Sequence, residues 1–218
     1  NALTVIAFAK KGCFLNAPDV YMEKIAVGGS LPKDLISLEE KPIVNIQNLA
    51  RAKKKDIGEL VVCILNRERH RELIRNCREV GARIMLISDG DVSGVIATSE
   101  EDSGVDMYIG TGGSPEGVLA AAALRCIGGQ MQTRLVFRNE EEISRAKKVG
   151  INDLRKIYDL NELAKGDVMF AATGVTDGNM LKGVKNKERF AYTESVVMRS
   201  STQTVRKIKA KHSLNNKL

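Results

Sequence analysis

Three short polar clusters contain residue types that bind phosphates, sugars or metal ions. They read RERH at residues 67–70, DGDV at residues 89–92 and GTGGSPEG at residues 110–117. Arginine forms charge-assisted hydrogen bonds with phosphate oxygens, while carboxylates accept hydrogen bonds from hydroxyl groups or bind divalent cations. Glycine lets a ligand approach the backbone, and helix N-termini attract anions. The clusters therefore predict a phosphate site or a metal site, unless the third is only a well-capped helix.

Each cluster, taken alone, also has a purely structural explanation. Arg67 and Arg69 can be solvated charges at the start of a helix. The segment 89–91 can be an ordinary turn, and Glu116 in a first helical turn is favourable without any function. However, all three clusters directly follow apolar runs of strand length, and ligands of open α/β sheets bind beyond the carboxyl ends of strands. This convergence favours one binding site over three unrelated surface features.

Other catalytic patterns are missing from the sequence. Pro115 stands where the third glycine of a dinucleotide-binding loop would be, and no lysine follows the glycines as it does in a P-loop. His70 and His212 have no partner at the spacing of a nucleophile and its base. The sequence thus indicates neither a nucleotide-binding fingerprint nor a Ser-His-Asp triad.

The composition restricts the class of protein. The 218 residues are 43% hydrophobic and 28% charged with a net charge of +7, which suits one ordinary core and a phosphorylated partner. Only 4% are aromatic, which argues against a base-stacking single-strand binder. The four cysteines form no Cys-x-x-Cys pair, no apolar run is as long as a membrane span, and no signal peptide is visible. We therefore expect a cytoplasmic protein with reduced cysteines and no membrane partner.

The elements that must position the clusters alternate between strands and helices. Predicted strands cover residues 2–10, 20–27, 59–66, 83–88, 105–110, 131–139 and 167–175. Predicted helices cover residues 43–54, 68–81, 90–99, 114–129 and 140–149. Continuously apolar strands that alternate with helices are typical of an α/β fold with a largely parallel central sheet covered on both faces.

The C-terminal part has a different pattern. Residues 190–201 and 202–212 predict a terminal antiparallel strand pair, and basic residues crowd the second strand. Those basic residues are Arg206, Lys207, Lys209 and Lys211. A basic strand serves either to bind nucleic acid or to protect a sheet edge from aggregation, and the second use is the more common. We expect no nucleic-acid partner.

Several longer segments resemble the class II fructose-1,6-bisphosphatases. They are KGCFLNAPDVYMEKI, DGDV, GTGGSPEG, AATGVTDGNML and TESVVMRS followed by TVRKIKAKH, and they occur in the family's order from Asn1 to about His212. The resemblance implies a layered α/β sandwich of the lithium-sensitive sugar phosphatase type. It also implies hydrolysis of fructose 1,6-bisphosphate to fructose 6-phosphate and phosphate, a reaction of gluconeogenesis that uses Mn²⁺ or Mg²⁺. Cyanobacterial relatives of similar sequence also accept sedoheptulose 1,7-bisphosphate.

The resemblance implies roles for individual residues. Glu116 matches a metal-binding glutamate of the family. The positions that match binders of the sugar phosphate are Tyr21, Arg67, Glu68, Arg69, Asp89, Gly90, Asp91 and Gly113. Within this set, Glu68 carries no phosphate-binding charge of its own. No residue of the sequence is assigned here as the nucleophile or as a general acid or base.

The resemblance also implies how the chain is divided. Family members carry an acidic N-terminal part that ends in an Asp-Gly-Thr motif, and this sequence begins just beyond the place of that motif. We therefore expect the C-terminal two-thirds of a sugar bisphosphatase with an incomplete metal site. Expected subdomains are residues 1–58 in an N-terminal sheet, residues 59–175 around the sugar phosphate, and residues 176–218 returning to the first sheet. We also expect a homo-oligomer. A non-catalytic sugar-phosphate-binding or regulatory protein is the alternative.

Overall fold

The structure is a computed structural model that describes residues 2–215. This part of the chain forms two β-sheets and six α-helices. The strands are β1 (Leu3–Ala9), β2 (Tyr21–Gly28), β3 (Val61–Leu65), β4 (Arg83–Ile87), β5 (Met107–Gly113), β6 (Gly129–Val136), β7 (Ile157–Asp159), β8 (Val168–Gly174), β9 (Lys185–Lys187), β10 (Phe190–Arg199) and β11 (Thr204–Ser213). The helices are α1 (Pro42–Lys53), α2 (Arg71–Glu79), α3 (Asp91–Ala97), α4 (Ser114–Ile127), α5 (Glu140–Lys148) and α6 (Leu160–Leu163).

The first sheet contains the N-terminal strand and the C-terminal strands. Its order is β1-β8-β10-β11, with β9 also paired to β10, and every neighbouring pair is antiparallel. The predicted antiparallel strand pair at the C-terminus is therefore confirmed. Side chains of β1 alternate between half-buried and exposed, which is typical of an antiparallel sheet with one covered face.

The second sheet has the order β4-β3-β5-β2-β6-β7. Strands β3, β4 and β5 are parallel to one another, whereas β2 runs antiparallel to both of its neighbours, β5 and β6, and β7 is antiparallel to β6. The expected α/β alternation is found, but the prediction of a largely parallel sheet is wrong. The reason is that β2 inserts between β5 and β6 in the opposite direction, and an apolar strand does not encode the direction of its neighbour.

Four layers stack in the order first sheet, α3 with α4, second sheet, α1 with α2. Helix α4 lies between the sheets and buries an almost continuous alanine run, residues 120–123. One core cluster joins both sheets through α3 and α4, and a second lies between the second sheet and helices α1 and α2. The four layers give the two hydrophobic faces of the second sheet separate cores, as expected for a sheet covered on both sides.

The element boundaries follow the sequence closely except at the glycine-rich segment. The sequence predicts that a strand ends at residue 110 and that a loop follows, but β5 continues to Gly113. The extra residues pair with β2, where Gly112 faces Met22 and Gly113 faces Tyr21. Gly113 is consequently the N-cap residue of α4, which moves the expected cap from Ser114 by one position. The short elements β7, α6 and β9 were not predicted, because three or four residues show no measurable periodicity.

The predicted division at residues 58 and 175 stays a prediction. Strand pairing crosses both boundaries, because β2 joins β5 and β6 while β8 joins β1 and β10. Three of the four cysteines, at positions 63, 77 and 126, are buried and all four are free thiols, as the sequence predicts. None of the helices within residues 2–215 combines the length and hydropathy that a bilayer-spanning helix requires.

Candidate active site

One cavity of about 600 Å³ brings together most of the residues that the sequence singles out. It lies where β3, β4 and β5 end, as the strand-end argument predicts. The cavity is lined by seven of the nine predicted site residues, namely Arg67, Arg69, Asp89, Gly90, Asp91, Gly113 and Glu116. Leu3 and Val5 of β1 and Leu119 of α4 add apolar surface. Tyr21 and Glu68 are not part of this lining.

Arg69 is the least neutralised cation of the cavity. Its Nε and Nη2 atoms donate hydrogen bonds to the carbonyl oxygen of Thr111 at 3.0 and 2.7 Å. Within the described part of the chain no carboxylate pairs with this guanidinium, and the side chain is exposed. Two of its five N–H donors are used, so three are free for an anion. An arginine held by a carbonyl rather than by a carboxylate keeps its full charge for a ligand.

Tyr21, the first residue of β2, has two guanidinium groups over its ring. The carbon Cζ of Arg69 is 4.8 Å from the ring centroid, and Cζ of Arg138 is 4.7 Å from it. Arg138 donates from Nε to Oε1 of Glu142 at 2.7 Å, and this bond raises the pKa of the guanidinium. The tyrosine ring therefore stacks against Arg69 and fixes its plane. The sequence analysis missed Arg138, which precedes the N-cap of α5 and bonds to Glu142 in the first turn of that helix.

Arg67 and Asp89 form a pair at the mouth of the cavity. Nη2 of Arg67 is 3.1 Å from Oδ1 of Asp89, and the Asp89 side chain is 81% exposed. Exposed ion pairs contribute little to stability, with a median of about 0–1 kcal/mol. A bound ligand can therefore replace either partner at small cost. The two side chains are available to a phosphate and to a hydroxyl group, respectively.

Asp91 differs from Asp89 because it is buried and already paired. Its Oδ2 atom accepts a hydrogen bond from the ammonium group of Lys24, and Lys24 also donates to the carbonyl oxygen of Gly113 at 2.8 Å. The sequence analysis missed Lys24. The indication was present, since Lys24 is a charged residue in the middle of the apolar strand VYMEKIAV at residues 20–27.

The glycines at 112, 113 and 117 make room for side chains of the site. A Cβ atom at Gly112 would lie 3.0 Å from Nζ of Lys24 and even closer to Asp91. A Cβ atom at Gly113 would collide with the carboxylate of Glu116, and one at Gly117 would collide with Met22. The motif therefore accommodates neighbouring side chains in addition to exposing backbone to a ligand.

Glu68 and Glu116 have opposite environments. Glu68 pairs with Arg71 at 2.8 Å on the surface, and its side chain is 74% exposed outside the cavity. Glu116 lies in the first turn of α4 and lines the cavity, where its carboxylate faces the ligand space. Within residues 2–215, no three side chains of His, Cys, Asp or Glu lie close enough together to hold one metal ion. Glu116 can supply one ligand, but the described residues do not form a complete divalent-cation site.

His70 links the end of β3, which both arginines follow, to β5. It is 2% exposed, and its Nδ1 atom lies 2.8 Å from the carbonyl oxygen of Leu65 while Nε2 accepts from the amide of Thr111 at 2.8 Å. Because Nε2 must accept, the ring is neutral with its proton on Nδ1. Burial lowers the pKa of His70, and the neighbouring Arg69 and Arg67 act in the same direction. The sequence analysis gave this histidine no role.

Comparison with known proteins identifies the family. A model of bacterial fructose-1,6-bisphosphatases of the glpX-encoded type matches residues 1–212. Over 231 aligned residues the chain is 41% identical to fructose-1,6-bisphosphatase 1 class 2 of Escherichia coli, covering 100% of this chain and 68% of that protein. Over 229 aligned residues it is 38% identical to fructose-1,6-bisphosphatase class 2 of Haemophilus influenzae, covering 99% and 68%. The chain therefore belongs to the glpX-encoded family of bacterial fructose-1,6-bisphosphatases.

Proposed function

We propose that the natural protein that carries these residues hydrolyses fructose 1,6-bisphosphate at the 1-phosphate, giving fructose 6-phosphate and inorganic phosphate. The observation that carries the proposal is the cavity in which an unneutralised arginine, two aspartates and a glutamate meet a glycine-lined backbone. The relatives are named fructose-1,6-bisphosphatases, which supports the bisphosphate as the substrate. No comparison favours the alternative of a non-catalytic regulatory protein.

The distal phosphate is assigned to the arginine end of the cavity. Arg69 has three free N–H donors, and a ligand can replace Asp89 as the partner of Arg67 at small cost. Both arginines can therefore form charge-assisted hydrogen bonds with phosphate oxygens. Tyr21 orients the Arg69 guanidinium from one face. These contacts exist in the ground state and in the transition state alike, so they contribute to binding more than to the chemical step.

The sugar and the reacting phosphate are assigned to the other residues of the cavity. The exposed carboxylate of Asp89 can accept hydrogen bonds from sugar hydroxyls. The turn after it has a φ of +85° at Gly90, a conformation that favours glycine. Asp91 contributes its Oδ1 atom, since Oδ2 is held by Lys24. Gly113 lines the cavity and is assigned to the end that holds the phosphate, where its lack of a side chain leaves room for the Glu116 carboxylate.

The family is metal-dependent, and we propose Mn²⁺ or Mg²⁺ as the ion that Glu116 helps to bind. Such an ion polarises a phosphoryl oxygen and activates water when it is bound. Glu116 is the one carboxylate of the described residues that we assign to the ion, because Asp91 is paired with the buried Lys24 and Asp89 is assigned to the sugar hydroxyls. No catalytic step is therefore assigned to particular residues of the chain.

The remaining parts of the proposal concern architecture and partners. The layers of sheet, helices, sheet and helices support the lithium-sensitive sugar phosphatase type. In the basic strand β11, Lys209 lies 3.4 Å from Glu194 and Lys207 lies 4.0 Å from Glu100, so acidic neighbours partly balance its charge. We propose a homo-oligomer without a nucleic-acid partner, which light scattering with and without added duplex DNA tests.

A comparison of sugar phosphates tests the activity. The natural protein that carries these residues is incubated with Mn²⁺ or Mg²⁺ and with fructose 1,6-bisphosphate, fructose 1-phosphate or fructose 6-phosphate. We expect phosphate release from the bisphosphate at the highest kcat/KM, a higher KM for fructose 1-phosphate, and no release from fructose 6-phosphate. Release from fructose 6-phosphate at the rate of the bisphosphate would refute the assignment of the distal phosphate to the arginines.

A further inference from the structure

Lys24 lies inside the second sheet, directly beneath the cavity residues. It is 1% exposed, and its ammonium group donates to Asp91 and, at 2.8 Å, to the carbonyl oxygen of Gly113. Burial lowers the pKa of Lys24, while the charge of Asp91 acts in the opposite direction. Lysine is almost never fully buried unless it is paired. The hydrogen bonds of Lys24 to Asp91 and Gly113 therefore account for its burial.

The space for Lys24 is created by two glycines of the GTGGSPEG segment. A Cβ atom added at Gly112 would lie 3.0 Å from Nζ of Lys24, and one added at Gly117 would lie 3.0 Å from Cε. Lys24 and Gly110 face each other in the register of β2 and β5, so the lysine side chain runs along the glycine segment toward the start of α4. The glycines of this motif and the buried lysine thus form one packing unit.

The hydrogen bonds of Lys24 join three separate segments. The lysine belongs to β2, Asp91 is the first residue of α3, and Gly113 stands at the junction of β5 and α4. The second and third segments carry groups to which the proposed function assigns the sugar, the phosphate and the metal ligand. Removing the ammonium group would remove a hydrogen bond from each of these two segments to β2 at the same time.

We infer that Lys24 is a positioning residue for sugar-phosphate hydrolysis, which holds the Asp91 carboxylate and the Gly113 backbone in register beneath the substrate. The inference rests on the proposed function. Lys24 acts through Asp91 and Gly113, so it does not touch the substrate.

The charge of Lys24 has a second consequence for an anionic substrate. Asp91 places a carboxylate beside the cavity, and a carboxylate repels a phosphate, most strongly where the surroundings are poor in water. The adjacent ammonium group compensates that charge. A well-packed hydrophobic pair is often as stable as a buried ion pair or more so. Stability alone therefore does not explain why a charged pair stands here, whereas positioning and charge compensation do.

The first test replaces the lysine in the natural protein. Lys24→Met removes the ammonium group and keeps most of the side-chain volume. We expect KM for fructose 1,6-bisphosphate to rise about tenfold or more, within the range of about 10–100-fold known for residues that orient binding groups. The dissociation constant of fructose 6-phosphate, measured by calorimetry, should rise by the same factor.

A control removes a different lysine–aspartate pair, which lies between the last residue of α1 and the residue that precedes β5, and in which Lys55 is a second partner of the aspartate. Lys53 lies 2.5 Å from Asp106, whose side chain is also mostly buried, and neither residue lines the cavity. We expect Lys53→Met to lower thermal stability and to leave KM and kcat unchanged. Equal effects of the two lysine substitutions on KM would overturn the inference, because they would reflect a general loss of stability.

A second pair of variants separates positioning from stability. Lys24→Met leaves a buried carboxylate unpaired, whereas Lys24→Met combined with Asp91→Asn leaves no buried charge. We expect the double variant to recover the melting temperature of Asp91→Asn and yet to bind fructose 6-phosphate more weakly than Asp91→Asn alone. Equal binding by these two variants would show that Lys24 only stabilises the fold. The comparison of the double variant with Asp91→Asn tests the role of Lys24 even if Lys24→Met alone does not fold.

The outcomes for the inference and for the proposed function can be distinguished. If the unsubstituted protein does not release phosphate from fructose 1,6-bisphosphate, the proposed function fails whatever the variants do. If it does release phosphate and Lys24→Met keeps the unsubstituted KM and affinity for fructose 6-phosphate, only the role of Lys24 is refuted.

Discussion

Individual residues of the cavity differ in how much of their charge is available to a ligand. Asp91 is bound to a buried lysine, and Arg67 shares its charge with an exposed aspartate. Among residues 2–215, the partners of the Arg69 guanidinium are a carbonyl oxygen and an aromatic ring. Because a carbonyl does not neutralise a guanidinium, Arg69 should dominate the attraction of a phosphate.

Arg69→Ala should raise KM for fructose 1,6-bisphosphate more than it lowers kcat. A charge-assisted hydrogen bond contributes about 1.5–3 kcal/mol, which corresponds to a rise in KM of roughly 10–150-fold. Steady-state kinetics measure both constants. Arg71→Ala is the matched control, because Arg71 is a neighbouring surface arginine that pairs with Glu68 outside the cavity. A loss confined to kcat would instead assign Arg69 to the reacting phosphate.

Glu116→Gln should abolish most of the activity and leave the protein folded. The amide keeps the shape of the side chain but loses the negative charge that a divalent cation requires. Glu140→Gln is the control for the helix dipole, since Glu140 is likewise an exposed glutamate in a first helical turn. Turnover at the unsubstituted rate by Glu116→Gln, at matched Mn²⁺, would remove Glu116 from the metal site.

The sequence predicted the residues that face the cavity better than those that support it. Arg67, Asp89 and Glu116 stand at strand ends in recognisable clusters, so chain position alone brings them together. Lys24 and Arg138 could not be assigned, because their roles depend on the pairing of β2 with β5 and β6. Partners across a sheet follow from register, and register is not visible in a single strand.

At the scale of elements, the junction of β5 and α4 contains a stretch of strand whose glycines leave room for side chains of neighbouring elements. Gly112 and Gly113 pair with β2 in regular register, yet a glycine-rich run in sequence predicts a loop. The same lack of side chains that suggests a turn here allows Lys24, Asp91 and Glu116 to approach the strand. The local rule failed because the glycines serve packing between elements.

Gly112→Ala should damage both stability and catalysis. The new methyl group would meet Asp91 and Lys24, which are buried and cannot move aside, and overpacking of this kind costs about 1–3 kcal/mol. Gly58→Ala is the control, because its nearest neighbour would be the carbonyl oxygen of Gly81 at 3.8 Å. Chemical denaturation and kinetics on both variants measure the difference. A Gly112→Ala protein that matches Gly58→Ala in both assays would contradict the packing argument.

His70, which connects β3 and β5 by hydrogen bonds, should make the free energy of unfolding depend on pH. Burial lowers the folded pKa of His70 relative to that of an unfolded histidine, which is near about 6.5. As the pH falls through that value the unfolded state binds a proton and the folded state does not, so the free energy of unfolding decreases. Its slope for one proton cannot exceed about 1.4 kcal/mol per pH unit.

Urea denaturation at about pH 7.5 and about pH 5.5 measures this dependence. The variant His70→Gln keeps a neutral donor and acceptor, so its stability should change less between these pH values than that of the unsubstituted protein. His212→Gln is the control, because His212 is exposed and its ring lies 3.0 Å from the hydroxyl of Thr193 on the surface. An unchanged pH dependence in His70→Gln would refute the role of this histidine.

At the scale of the whole molecule, the two sheets contribute different kinds of residues to the cavity. The second sheet supplies Arg69, Asp89 and Gly113 from the ends of its strands, and the first sheet closes the cavity with Leu3 and Val5 of β1. The alternation of strands and helices predicted the α/β class correctly. It did not predict that β2 joins the second sheet and β1 the first, because sequence order does not determine which sheet a strand enters.

A polypeptide of residues 1–218 alone should bind the product and release no phosphate. Metal-assisted phosphoryl transfer requires several carboxylates to hold each ion, and the described residues bring no three metal-ligating side chains together. The groups assigned to the sugar phosphate, Arg67, Arg69 and Asp89, are all present. Phosphate release from fructose 1,6-bisphosphate with Mn²⁺ and Mg²⁺, and calorimetry with fructose 6-phosphate, test the two halves of this prediction.

The control for that experiment is the same polypeptide with Arg69→Ala, which should lose the affinity for fructose 6-phosphate. Binding that survives this substitution would place the phosphate elsewhere. Steady phosphate release by residues 1–218 would show that a complete metal site exists within them, and Glu116 would then need partners other than the aspartates that Lys24 and Arg67 hold. Because no hydrolysis is expected in any case, a misfolded preparation is recognised by the loss of fructose 6-phosphate binding in the unsubstituted polypeptide.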